Sequence, residues 1–76
     1  MCELIYAKKN TDLILVCIEG GASITRRLAE MGLLLGGRLR VLHNSGYGPI
    51  TIIVKGVKIA LGHSLGSKIM VKEERK

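Results

Sequence analysis

The sequence contains no tryptophan and no phenylalanine, a single proline, and two tyrosines, Tyr6 and Tyr47. Small barrels that bind single-stranded nucleic acid offer aromatic faces on which bases stack, and two tyrosines far apart in sequence make a poor platform. A groove for proline-rich peptides is disfavoured for the same reason. Cysteine is scarce as well: Cys2 and Cys17 form one bridge at most, which excludes a multi-bridge framework. The longest apolar run is "LILVCI", Leu13 to Ile18, far below the roughly 20 residues that a membrane-spanning helix needs. The opening "MCELIYAKKN" lacks the basic start and apolar run of a secretory signal. A cytoplasmic chain with reduced thiols is the expectation, with Cys17 a small core residue and Cys2 a thiol at a frayed end.

What is present is aliphatic and basic. Of the 76 residues, 47% are hydrophobic and 3% aromatic, so β-branched and aliphatic side chains must fill the interior, which favours strands. A chain of this length makes one domain, 1–76, and buries only about 60% of the surface its unfolded form exposes. Net charge is +6. That fits an acidic partner, whether nucleic acid, anionic lipid or protein, and it equally serves solubility.

Asn10, Thr11 and Asp12 form a turn cluster. Leu13 to Ile18 follows as a strand apolar on both faces. Gly20 and Gly21 end it, and Ser23 is the expected N-cap of a short helix. Ile24, Leu28 and Met31 then recur at i, i+4 and i+7 as one apolar stripe, while Arg26, Arg27 and Glu30 face solvent. Gly32 is the expected residue beyond the helix end, with Leu33 folding back on Leu28. A helix of little more than two turns cannot stand alone and must dock as a lid. After Gly36 and Gly37, "RLRV" alternates, with Leu39 and Val41 inward and Arg38 and Arg40 outward. His43 to Pro49 reads as a loop. Ile50, Ile52 and Val54 share the inner face of the next strand. A tight hairpin at Gly56 leads to a return strand with Ile59 and Leu61 inward. "GHSLGS" reads as a turn with at most one turn of 3₁₀ helix. "KIMVK" closes the domain, with Ile69 and Val71 inward, and "KEERK" is a solvated tail. The tally is about five strands and one helix, in the order β, α, β, β, β, β, a sheet that hides its edges best by curling into a barrel.

No catalytic constellation is visible. Ser, His and Asp occur without a nucleophile elbow, and no glycine loop ends in the lysine that binds phosphate, so an enzyme is not expected. Cys2, Cys17, His43, His63 and the glutamates lack the spacing of a metal site.

The segment Arg26-Arg27-Leu28-Ala29-Glu30-Met31-Gly32-Leu33, the glycine turn and "RLRVL" resemble the core signature of FeoA proteins, and "GYGPITIIVKGVKIAL" and "KIMV" resemble the family's downstream half. The similarity runs from about Leu4 to Val71. The family's Pro-Gly before the first long strand is replaced here by Lys9-Asn10, and Asn can still adopt the turn. The resemblance implies a mainly β fold, an SH3-like barrel with an inserted helix. It implies a cytosolic accessory protein of bacterial ferrous iron transport whose partner is FeoB, the membrane transporter with a cytosolic GTPase domain. The chain would work at the membrane periphery and take no nucleic acid, small-molecule substrate or cofactor, Fe²⁺ being the one ion it could hold weakly. The same fold resembles the C-terminal domain of DtxR-type metal-dependent repressors, so a regulatory or nucleic-acid-binding barrel is the alternative. For the partner-binding surface the expectation is Arg26, Arg27, Glu30, Met31, Tyr47 and Pro49, with Arg38, Arg40, Lys55 and Lys58 adding to a basic face.

Overall fold

Six strands form one antiparallel sheet in a computed structural model that describes residues 1–74. They are β1 (Cys2–Glu3), β2 (Asp12–Ile18), β3 (Arg38–Asn44), β4 (Ile50–Val54), β5 (Val57–Leu61) and β6 (Ile69–Glu73), in the spatial order β1-β6-β2-β3-β4-β5. Helix α1 (Ala22–Glu30) joins β2 to β3, and a single helical turn, α2 (His63–Gly66), joins β5 to β6. A 3₁₀ turn, Leu4–Tyr6, follows β1. The expected five strands miss β1, two residues long, which pairs Cys2 with Val71 and Glu3 with Met70. So short a strand carries no alternation to read.

The sheet curls into a barrel-like shape, although its outer strands, β1 and β5, do not pair with each other. Two register shifts show where it bends. One lies between Leu15 and Cys17 opposite β6, the other between Val41 and His43 opposite β4. Each places an extra residue in one strand, which sharpens the local twist. The first shift also overturns the expectation for Cys17. Leu13 and Leu15 point inward, the extra residue resets the alternation, and Cys17 emerges exposed while Ile18 packs on the core. Cys2 is likewise not frayed; it sits in β1 and packs partly against the core.

Inward positions are aliphatic throughout. Leu4, Leu13, Leu15, Leu39, Val41, Ile50, Ile52, Leu61, Ile69 and Val71 are all buried, and among the described residues no polar side chain joins them. Strand β4 alternates without fault, burying Ile50, Ile52 and Val54. Its turn to β5 spans Lys55 and Gly56, both at positive φ (51° and 81°) between the paired Val54 and Val57. That is the geometry whose twist matches the flanking strands. Asn10 takes φ 58°, the turn expected where the family has Pro-Gly.

The expected loop 43–49 is shorter than its composition suggests. His43 and Asn44 stay in β3, paired with Thr51 and Ile50. The Asn44 side chain donates to the Ile5 carbonyl at 2.8 Å and accepts from Gly46 N–H at 2.9 Å. "GHSLGS" winds into a turn of α-helix rather than 3₁₀, closed by Gly66 N–H to the Gly62 carbonyl at 3.0 Å. The tail expected in solvent is ordered through Glu74, whose amide donates to the Asp12 carbonyl at 2.9 Å; Arg75 and Lys76 lie outside the described residues.

Helix α1 seals one side of the core. Its N-cap is Gly21, not Ser23, which lies inside the first turn. The glycine pair turns the chain two residues sooner than the hydroxyl suggests, and Thr25 Oγ1 donates back to the Gly21 carbonyl at 3.0 Å. Leu28 is wholly buried and Ile24 packs on the core. Met31, expected to complete the stripe, is 37% exposed. The helix ends at Gly32, whose φ of 97° suits a residue without a Cβ. Leu33 N–H then bonds the Leu28 carbonyl at 2.9 Å and Gly32 N–H the Ala29 carbonyl at 2.9 Å. These are the paired bonds of a Schellman end, which turns Leu33 into the core.

Candidate partner-binding surface

Helical periodicity fixes the direction of the first group of candidate residues. With Leu28 committed to the core, Arg26, Arg27 and Glu30 fall on the solvent side and are exposed, with Met31 just beyond them. Tyr47 and Pro49 lie in the 45–49 loop and are exposed too, Tyr47 at 88%. The two groups sit toward opposite ends of β4. The loop adjoins Ile50, whereas a Cβ built on Gly32, at the end of α1, would lie 3.9 Å from Val54 Cγ1. Four residues of strand, about 13 Å, separate Ile50 from Val54.

The strand arginines are already engaged. Arg38 Nη2 lies 2.7 Å from Glu74 Oε1, and Arg40 Nη2 lies 2.6 Å from Asp12 Oδ1. Register explains the second pair, because Asp12 and Arg40 are direct cross-strand partners on the outer face. Among the described residues Arg26, Arg27, Lys55 and Lys58 hold no ion pair. The positive surface is therefore carried by α1 and the β4–β5 hairpin more than by β3.

Sequence reasoning missed an apolar feature where the α1–β3 connection meets the hairpin. Leu34 and Leu35 are 49% and 61% exposed. They line a groove of about 510 Å³ together with Arg38, Val54 and Lys55. Its signal in the sequence is the run "GLLLGG". After Gly32, Leu33 turns inward, and the tight turn at Gly36 leaves its two neighbours nowhere to hide.

Tyr6 and Tyr47 are far apart in sequence, yet the Asn44–Ile5 hydrogen bond ties their segments together, and both rings are exposed. No three His, Cys, Asp or Glu side chains gather to hold a metal ion among the described residues. Cys2 and Cys17 oppose neighbouring residues of β6, Val71 and Met70, and so face opposite sides of the sheet; both are free thiols. No helix among the described residues is long and apolar enough to cross a membrane.

Comparison with known proteins places this geometry. Residues 3–73 match the model of the FeoA domain. A putative Fe(2+) transport protein A of Methanocaldococcus jannaschii is 38% identical over 73 residues, covering 96% of this chain and 88% of the relative. The crystal structure of an iron uptake regulatory protein (FeoA) superposes with a TM-score of 0.87 at 35% identity, covering 95% of this chain and 96% of the other. The manganese-activated repressor ScaR shares the fold at a TM-score of 0.85 and 24% identity, with 96% of this chain matching 35% of the repressor. The sheet order, the inserted helix with its glycine-terminated end and these matches together show that the chain belongs to the FeoA domain family.

Proposed function

We propose that this chain is a cytoplasmic accessory protein of ferrous iron transport. It binds and modulates the FeoB GTPase-permease at the inner face of the membrane. The reading rests on the family and on one structural observation: α1 and the β4–β5 hairpin present exposed cations that hold no ion pair among the described residues, and Leu34 and Leu35 stand exposed in a groove that Lys55 of the hairpin also lines. Such a surface serves recognition rather than chemistry. Iron in this reading is the cargo of the partner, and the chain carries out no catalytic step. Proximity to an anionic leaflet would add roughly 1 kcal/mol per nearby Lys or Arg.

Co-purification of tagged chain with the permease, followed by GTP hydrolysis and Fe²⁺ uptake with and without the chain, tests the reading. Retention of the permease on the chain with a change in either rate supports it, and no retention defeats it. The alternative, a regulatory or nucleic-acid-binding barrel of the repressor type, has in its favour the shared fold and the exposed Tyr6 and Tyr47, whose segments the Asn44–Ile5 hydrogen bond joins. Salt-sensitive binding of an oligonucleotide, lost on replacing both tyrosines, would select it instead.

A further inference from the structure

We infer that the groove between the α1–β3 connection and the β4–β5 hairpin seats leucine-sized side chains from an acidic, amphipathic segment of a protein partner. This rests on the partner-binding reading above and names the chemistry that the partner presents. Leu34 and Leu35, 49% and 61% exposed, both line it. Room is left beside them, since a Cβ placed on Gly36 would meet nothing within 4 Å. Val54, Arg38 and Lys55 complete the lining, which holds no carboxylate, although Arg38 Nη2 lies 2.7 Å from Glu74 Oε1 beside it.

The wall is rigid before anything binds. Gly36 N–H donates to the Leu15 carbonyl at 2.8 Å, Leu15 N–H to the Gly37 carbonyl at 3.0 Å, and Gly37 N–H to the Leu34 carbonyl at 2.9 Å. These bonds extend the β2–β3 pairing into the loop, so docking orders little backbone and loses little entropy. The charge on the rim selects the occupant. A second copy would bring the same cations, in a chain of net charge +6, whereas glutamate or aspartate beside the inserted side chains would meet Lys55, Arg38 being held by Glu74. A hollow of this volume suits inserted side chains better than the flat surface of a bilayer, and an apolar stripe at i, i+3 and i+4 is how amphipathic helices fill grooves.

The test is a titration of ¹⁵N-labelled chain, followed by amide shifts, with three probes. These are the cytosolic regions of the permease, a synthetic helix with leucines at i, i+3 and i+4 and glutamates elsewhere, and phosphatidylglycerol–phosphatidylcholine vesicles. The expected result is shifts centred on residues 31–38 and 54–57 with both the permease and the helix, weaker ones at Arg26 and Arg27 being compatible with charge attraction at the margin. Leu35→Glu should weaken each by about tenfold or more, from lost burial, and Lys55→Glu should weaken each more at low salt than at high. Both residues are exposed, so the variants should keep the parent spectrum; if Leu35→Glu did not, Lys55→Glu alone would decide. Permease shifts centred on Arg26 and Arg27 or on the 45–49 loop, untouched by Leu35→Glu, would overturn the groove and leave the partner reading standing. Groove binding by the helix without permease binding would sustain the groove and remove the partner reading. Binding to vesicles alone, or to no probe, would overturn the inference.

Discussion

The Arg40 guanidinium donates two hydrogen bonds to a single oxygen of Asp12, from Nε at 3.1 Å and Nη2 at 2.6 Å to Oδ1. Side chains are 45% and 41% exposed, so solvent screens the pair and its contribution is small. A double-mutant cycle of Asp12→Ala and Arg40→Ala, read by urea denaturation, should give a coupling of about 0.5–1 kcal/mol. It should shrink as salt is raised from 0.05 to 0.5 M, both concentrations being roughly on either side of physiological screening. A coupling unaffected by salt would mean that the pair acts through packing.

Leu28 is the anchor of α1. Its truncation to alanine removes a fully buried side chain from the contact between helix and sheet, at a cost of about 2–5 kcal/mol. In a domain this small, much of the folding free energy would go with it. Thermal unfolding of Leu28→Ala should show a markedly lower midpoint, while Glu30→Ala, exposed on the other face, should barely move it.

Gly66 is buried where α2 meets the sheet. A Cβ there would lie 2.6 Å from Ile50 Cδ1 and 3.1 Å from Ile5 Cγ2. Since Ile50 has no exposed surface, it cannot swing aside cheaply. Gly66→Ala should therefore destabilise by about 1–3 kcal/mol through overpacking, despite alanine's better helix propensity. A neutral or stabilising effect in denaturant melts would show that α2 lifts away readily.

The two cysteines should react differently. Cys17 is exposed on the outer face, and Cys2 is half-buried against the core. A chromogenic disulfide reagent should titrate one thiol rapidly and the second more slowly, the slow phase vanishing in urea. Cys17→Ser should abolish the rapid phase.

Arg26 and Arg27 carry charge without an ion pair among the described residues. Replacing both with glutamate should change stability by no more than about 0.5 kcal/mol each, as for ordinary surface positions. It should, however, reduce retention of the permease. If retention persisted, and persisted again with Tyr47→Ala added, α1 and the 45–49 loop would not be the contact surface.

Much of the fold could be read from residue patterns because periodicity and turn chemistry agree. Strand β4 alternates cleanly, Gly56 marks a hairpin, and Gly32 ends a helix whose Leu28 must be buried. What could not be read follows from interruptions of period. The extra residue after Leu15 exposes Cys17, since a one-residue shift exchanges the faces of a strand. Strand β1 has two residues and is defined by its partner β6, not by its own pattern. Ser23 looked like a cap because local propensity favours hydroxyls, but the glycine pair before it set the helix entry. The exposure of the candidate residues was legible: Arg26, Arg27, Glu30, Met31, Tyr47 and Pro49 all reach solvent. Leu34 and Leu35 were not singled out, because a three-leucine run looks like core until Leu33 alone is seen to turn inward.

The pairing of Cys2 with Val71 brings the first and last strands side by side. A unit whose ends emerge at one seam can be grafted onto another polypeptide through a single junction, without a tether running across its surface. The same architecture makes up about a third of a longer repressor and nearly all of a separate FeoA structure, and adjoining ends suit it to both settings.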